Sequence, residues 1–388
     1  MSNKIDIRDL YRLPWSKNDN PNGWIEITTY CNISCPGCYR GCDRTDNTPR
    51  HKSIDDIKKE ILDLIAMRNC QTISISGGEP LMHPGIIEIL FFIDELGLNT
   101  LLLTNGTLLT EEILLEMKSA GLTGLLIRID SLKANSEESE IMLNKLRKKY
   151  ADLVYKVGDI FLGFSCVISQ KNLNQIPDVI DWIQANPKKV DFLLLILKRE
   201  VIFENGRRLD TNDWVYLPEL IDVISKPDKV IVFSGYLGSQ AVGQDIKWLY
   251  SFWISHNNKR IDFFDKKLVE LLHVFHHFRK GKYFFILKKK QLTNTLLYLI
   301  LSGVINKSAR KIVRKYITGF FTAPWEFTSR LNVQTLNIVN PPGNVEGKRD
   351  LCDACPDALL YKGNLYPSCC LEEIKRFGEI VEFDDDKT

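Results

Sequence analysis

The sequence predicts an α/β chain built as a partial (βα)6 barrel with a helical insert and a small C-terminal domain, on three observations. Short apolar runs alternate with amphipathic helical stretches from Trp24 to about Glu200, the rhythm of parallel βα units. A basic, aromatic region breaks that rhythm from residue 236 onward, and a cysteine-rich tail follows it. The boundaries are an N-terminal extension over 1–22, the barrel over 23–235, the insert over 236–344 and the tail domain over 345–388.

Element by element, "GWIEITTY" reads as the first strand and leads into "TTYCNISCPGCYRGC", residues 28–42. "SIDDIKKEILDLIAMRNC" opens on Ser53 as an N-cap candidate and repeats Ile54, Ile57, Ile61, Leu64 and Ile65 at helical spacing. "QTISISGG", "NTLLLTNG", "GLLIRIDS", "IFLGFSCVIS" and "VDFLLLILK" are short buried strands, with helices such as "PGIIEILFFIDELG" and "LTEEILLEMKSAG" between them. Barrels of this kind carry their functional residues at the C-terminal ends of the strands. The Gly, Asn, Asp and Ser residues that close these runs are therefore the first candidates.

With 388 residues, 44% apolar and 26% charged, the chain can bury one large core or two modest ones. Its first residues carry charge throughout and lack an apolar signal core, so a cytoplasmic location is expected. The longest apolar run, "NTLLYLILSGVI", is too short to span a bilayer. Ten cysteines, eight of them in two tight clusters, point in such a chain to metal rather than to a disulfide frame.

Cys31, Cys35 and Cys38 stand at C-x3-C-x2-C spacing. Three thiolates leave one iron of a cubane open to an exogenous ligand, whereas four would saturate it. Zinc is the alternative, but it takes four ligands, and Cys42 and His51 fall outside the usual spacings.

The loop is followed by "SGGEP" (Ser76 to Pro80) on the next strand, by "TNG" at 104–106 and by "IRIDSL" on the fourth. Over roughly residues 22–200 this order resembles the radical S-adenosylmethionine (SAM) superfamily. The resemblance implies a TIM-type partial barrel and a [4Fe–4S] cluster on Cys31, Cys35 and Cys38, with SAM on the open iron. It implies reductive cleavage of SAM to methionine and a 5′-deoxyadenosyl radical, which takes hydrogen from an unreactive carbon. It also implies a reducing partner such as flavodoxin or ferredoxin. Gly77, Gly78, Glu79 and Pro80 would then face SAM, the glycines permitting close backbone approach, and Asn105 and Ser131 would contact ribose or substrate. The family's aromatic residue before the third cysteine is Gly37 here, with Tyr39 on the other side as a substitute for packing on adenine. Arg128 stands where a small hydroxyl residue is common. With Asp130 it is the catalytic candidate, and if Arg128 is buried it needs an anionic partner. For Asn105, Asp130 and Ser131 the rival reading is a turn residue or helix cap.

"LCDACPDALLYKGNLYPSCC" places Cys352, Cys355 and Cys369 at C-x2-C-x13-C. This resembles the auxiliary-cluster extensions called Twitch or SPASM, including that of GTP 3′,8-cyclase, and implies a second [4Fe–4S] cluster. The fourth ligand stays open between Cys370, an outside ligand and substrate, and a zinc ribbon is the alternative. The tail "EFDDDKT" and the long insert separate the chain from the cyclase itself.

Between Asp245 and Tyr316 sixteen Lys or Arg face four acidic residues, so that stretch carries +12 in a chain of net +2. Basic and aromatic together, it suits an anionic membrane surface or an apolar substrate with an acidic head. Core packing with a solvated basic face is the alternative. No RNA-binding motif accompanies the charge, and no nucleic-acid partner is expected. His273, His276 and His277 fit a packed amphipathic helix better than a metal site. The function expected is that of a radical SAM enzyme acting on a lipid, isoprenoid or other anionic apolar metabolite, cytoplasmic or peripheral at the inner membrane surface. Peptide modification and a non-catalytic iron–sulfur regulator or scaffold are the alternatives.

Overall fold

The computed structural model describes residues 5–35, 38–42, 50–133, 136, 138–199, 213–225, 230–240, 245–256, 259–283, 292–322, 331–341, 344–345 and 348–377. After the two-residue β1 (Tyr11–Arg12) come β2 (Asn22–Thr28), β3 (Thr72–Gly77), β4 (Asn99–Thr104), β5 (Gly124–Arg128), β6 (Phe161–Ile168) and β7 (Phe192–Leu197). These six are parallel neighbours in chain order. Helices α1 (Ile54–Met67), α2 (Ile86–Glu95), α3 (Glu111–Ser119), α4 (Glu140–Val157) and α5 (Ile176–Ala185) alternate with them, and α6 (Leu217–Ile224) follows β7. The result is six βα units. Ser53 caps α1 as its sequence suggests, its hydroxyl accepting from the Asp56 amide at 3.1 Å.

The chain continues through β8 (Gly235–Leu237), β9 (Trp248–His256) and β10 (Lys259–Phe263) to α7 (Lys266–Lys280), α8 (Leu292–Ser302) and α9 (Lys307–Thr322). It ends with β11 (Asn332–Val339), the ribbon β12 (Asn344–Val345) and β13 (Lys348–Arg349), the hairpin β14 (Ala358–Tyr361) and β15 (Asn364–Pro367), and α10 (Leu371–Phe377). β11 extends the sheet parallel to β7, β9 pairs antiparallel with β11, and β14 joins the other edge beside β2. The sheet stays open, running from β1 at one edge to β15 at the other.

"WLYSFW" corrects the helical reading of the insert, because it lies in β9. Leu249 and Trp253 face the core shared with α1 to α6. Trp248, Tyr250 and Ile254 face a second core shared with α7, α8 and α9. A strand buried on both faces reads as a continuous apolar run and hides its period of two. On its α1 to α6 side the indole nitrogen of Trp253 is satisfied. Trp253 Nε1 donates to Gln334 at 2.8 Å, and Gln334 donates to the carbonyls of Ile183 and Val190 at 2.7 and 2.9 Å.

The same alternation along β4 to β7 divides the barrel strands, with Leu102, Leu125 and Leu193 on the α1 to α6 side. Leu101, Leu126, Phe192 and Leu194 lie against Leu268, Leu272, Leu299 and Ile312 of α7 to α9. The basic helices thus form the second covering layer of the sheet. On α7, His273 and His276 are buried while His277 pairs with Asp19 at 3.0 Å and stacks on Tyr283. Lys288, Lys289 and Lys290 lie outside the described residues. Among the described residues, no helix is long and apolar enough to cross a membrane.

Candidate functional site

The C-terminal ends of β2, β3, β4 and β5 converge on one side of the sheet, and the sequence-predicted residues sit there. Gly77 and Gly78 bring β3 against the start of the cysteine loop. The amides of Gly78 and Glu79 donate to the carbonyls of Thr28 and Tyr30 at 2.8 and 2.7 Å. Gly77 has φ +143°, and a Cβ on it would stand 2.3 Å from the Thr28 carbonyl oxygen. A Cβ on Gly78 would stand 2.1 Å from that of Tyr30. The close approach these glycines permit is therefore made, in the first place, by the chain's own backbone. Gly78→Ala is expected to pry the two loops apart, costing about 1–3 kcal/mol as overpacking does and weakening SAM binding at least tenfold. Urea unfolding and calorimetric SAM titration of the reconstituted protein check this. Gly235→Ala, where a Cβ meets only ordinary contacts at 3.5 Å and beyond, is the unchanged control.

Glu79 is fully buried, and its carboxylate is occupied. It accepts from the Thr104 hydroxyl at 2.7 Å, the Asn105 amide at 2.7 Å and the Leu81 amide at 3.1 Å. Burial pushes its pKa up, and these hydrogen bonds oppose the rise. Glu79 thus ties β3 to β4, and Pro80 starts the short 3-10 turn behind it. Asn105 reaches back to the cysteine loop, donating to Asn32 at 2.8 Å and toward the Cys31 sulfur at 3.9 Å.

Arg128 finds its anion inside the chain. Its Nε donates to Asp130 at 2.8 Å, and Asp130 also accepts from the amides of Leu132 and Val167 at 3.0 and 3.2 Å. Burial works against the guanidinium's charge, but Asp130 more than offsets this and the net shift is upward, with Cys35 and Cys38 within electrostatic reach. Lys133, which the sequence reading missed, donates to the backbone carbonyls of Asn105 and Arg128. It also faces Cys35 and Glu79, and burial lowers its pKa. Its one sequence signal is its place two residues beyond Ser131. The Ser131 amide donates to Glu140 at 2.8 Å. Glu140 in turn holds a buried ion pair with Arg147 at 2.6 Å, and Arg147 donates to the Ile129 carbonyl at 2.8 Å.

In the cysteine loop, Cys42 joins the predicted three. It hydrogen-bonds to Cys31 and Cys38, which lowers the Cys31 thiol to about 7 and raises that of Cys42. Tyr39 turns toward the interior beside Glu26, Arg40 and Cys38, and burial first and Glu26 second raise its hydroxyl. Gly37 lies outside the described residues. Arg40, 2% exposed, pairs with Glu26 of β2 at 2.7 Å and with Glu372 of α10. It thereby fastens the loop both to the barrel and to the helix that follows the tail cysteines. Among the described residues no three His, Cys, Asp or Glu side chains are gathered tightly enough for a single ion. Cubane thiolates each bind a different iron, so fit rests on donor type and surroundings. Both suit a cluster here: three thiols on one loop, one shifted toward its thiolate, within electrostatic reach of the half-buried cations Arg128 and Lys133.

The tail cysteines also meet. Cys369 lies beside Cys370, sulfur to sulfur 3.7 Å, and faces Cys355 and Cys352. Cys355 hydrogen-bonds to Cys352, which with burial raises its thiol. Cys370 is fully buried. Four soft donors gathered together, two of them buried and two half-buried, suit a second cluster in the same sense.

Residues 25–182 match the family described as the Radical SAM superfamily. The AdoMet-dependent heme synthase of Methanosarcina barkeri is 32% identical over 153 residues, 39% of this chain and 43% of that protein. The PqqA peptide cyclase of Bradyrhizobium diazoefficiens is 28% identical over 158 residues, 40% of this chain and 41% of its own. The chain thus spans less than half the length of either relative. Among solved structures, Streptococcus suis SuiB bound to S-adenosylmethionine aligns with a TM-score of 0.37 at 17% identity, over 48% of this chain and 42% of SuiB. The cysteine loop on β2, the glycine pair on β3 and the family match coincide, and residues 25–182 of this chain are a radical SAM domain.

Proposed function

We propose that the protein is a radical SAM enzyme with a second, auxiliary iron–sulfur cluster, acting on an anionic apolar metabolite such as a lipid or isoprenoid. The observation that carries the chemistry is the meeting of the three-cysteine loop with the "SGGEP" turn. Cys31, Cys35 and Cys38 would hold the first cluster, and Cys352, Cys355 and Cys369 the second. When bound, the first cluster would supply one-electron chemistry for the reductive cleavage of SAM and hydrogen abstraction from substrate, with the electron drawn from a partner such as flavodoxin or ferredoxin. Glu79 keeps the β3 and β4 ends at a fixed separation around the SAM-facing positions Gly77, Gly78, Pro80, Asn105 and Ser131. Arg128 and Asp130, paired with each other, present a neutral rim to the substrate, and Tyr39 backs the loop. Anaerobic incubation of reconstituted protein with dithionite and SAM tests the class. Formation of 5′-deoxyadenosine is expected, and its absence from iron-loaded protein overturns the reading.

The substrate class rests on the α8–α9 hairpin. Leu297, Ile300, Leu301, Val304 and Ile305 are exposed along one stripe of α8 and its turn, and Lys307, Arg310, Lys311, Arg314 and Lys315 line the exposed face of α9. Apolar and cationic stripes on adjacent helices match an anionic lipid surface. Lys311 and Lys315 are engaged with Asp262, so Lys307 and Arg314 are the ones to change. Phosphatidylglycerol vesicles should sediment the protein in preference to neutral ones, and 1 M salt should abolish the preference. Lys307→Gln with Arg314→Gln should weaken binding roughly thirtyfold, at about 1 kcal/mol per charge. Equal, negligible binding to both vesicle types overturns the lipid reading and leaves a soluble substrate or a peptide.

A further inference from the structure

Arg68 lies at the end of α1 and is 1% exposed. Its Nη2 donates to the Cys355 carbonyl at 2.6 Å, while Nε and Nη1 have no hydrogen-bond partner. Among the described residues no carboxylate lies within ion-pair distance of it. Its electrostatic neighbours are Cys355, Cys70 and Asp357, and Asp357 takes a hydrogen bond from Asn22 instead. Tyr250 points the same way. Its hydroxyl is fully buried, has no partner and faces Cys352, Cys355 and Asp357.

A buried guanidinium with two idle donors is costly, since a desolvated charge needs a counter-charge and hydrogen bonds to repay its lost hydration. Among the described residues the other two buried arginines follow that rule, Arg40 with Glu26 and Glu372 and Arg147 with Glu140, and the half-buried Arg128 has Asp130. Arg68 instead has the Cys355 thiol within electrostatic reach, and Cys355 hydrogen-bonds to Cys352 and faces Cys369. Thiolates that hold an iron–sulfur core bring net negative charge and sulfur acceptors to the place where both are missing.

Resting on the reading of the tail cysteines as a cluster site, we propose that Arg68 is the counter-charge of that cluster and raises its reduction potential. Reduction adds one electron to the cluster and so increases its negative charge. A fixed cation in a low-dielectric setting favours the reduced form, and net charge and hydrogen bonding to sulfur set cluster potentials. Arg68 acts through the cluster rather than on substrate, which makes it a positioning residue.

The test uses the Cys31→Ala, Cys35→Ala, Cys38→Ala protein, so that any iron present belongs to the tail. Reconstituted protein is analysed for iron and zinc and titrated with dithionite under EPR, with Arg68, Arg68→Lys, Arg68→Gln or Arg68→Met. The neutral variants are expected to lower the equilibrium constant for one-electron reduction at least tenfold, a fall of about 59 mV or more. Arg68→Lys should stay close to the parent. Loss of the cluster in both neutral variants with retention in Arg68→Lys also supports the proposal. Parental potentials in the neutral variants, or loss of the cluster in all three, overturn it. One zinc and no iron in the parent overturns the cluster reading beneath it, an outcome visible before any potential is measured.

Discussion

Replacing Cys31, Cys35 and Cys38 together by Ala is expected to remove about four irons per chain and all 5′-deoxyadenosine formation, while the tail cysteines keep theirs. A total effect is expected because on the proposed assignment each thiolate takes a separate iron, and Cys42 alone cannot hold a cubane. Cys42 hydrogen-bonds to two of the three thiols, so its own replacement by Ala is the informative companion. A cluster carried by the predicted three alone survives Cys42→Ala with its iron and its SAM cleavage. Iron analysis and product assay on both proteins check this, and normal 5′-deoxyadenosine from the triple variant would sink the assignment.

The largest stability loss is expected at Arg147. Arg147 and Glu140 are both fully buried, and Glu140 also receives the Ser131 amide and the Asn172 side chain. Arg147→Met leaves a buried carboxylate without its cation, a class of change that costs about 3–5 kcal/mol. Adding Glu140→Leu removes the stranded charge and should return much of that loss, since replacing both ions with apolar groups is often near neutral. Because Glu140 and Arg147 anchor the backbone on either side of Asp130, the double variant should stay folded yet bind SAM more weakly. Equilibrium unfolding with SAM titration separates the two effects. A single variant that melts with the parent would show the pair to be dispensable.

The βα rhythm was readable because β2 to β7 sit between polar turns and helices with a clear 3.6 period, so strand and helix declare themselves locally. β9 did not declare itself, since its partners, β11 and two separate cores, are supplied by distant parts of the chain. The same division runs through the site. The cysteines and "SGGEP" carry chemistry in their spacing, whereas Lys133, Arg40 and Arg68 are ordinary basic residues whose meaning comes from what the fold sets opposite them. The glycine pair was legible as a close approach but not as an approach to Thr28 and Tyr30, because the neighbour is fixed by pairing of β2 with β3.

Arg40 also imposes an order on biogenesis. Its second carboxylate partner, Glu372, lies 332 residues downstream, so that ion pair forms only once residue 372 has been synthesised. The barrel strands can pair as they emerge, whereas the α10 side of the cysteine loop closes after α10 has folded against it.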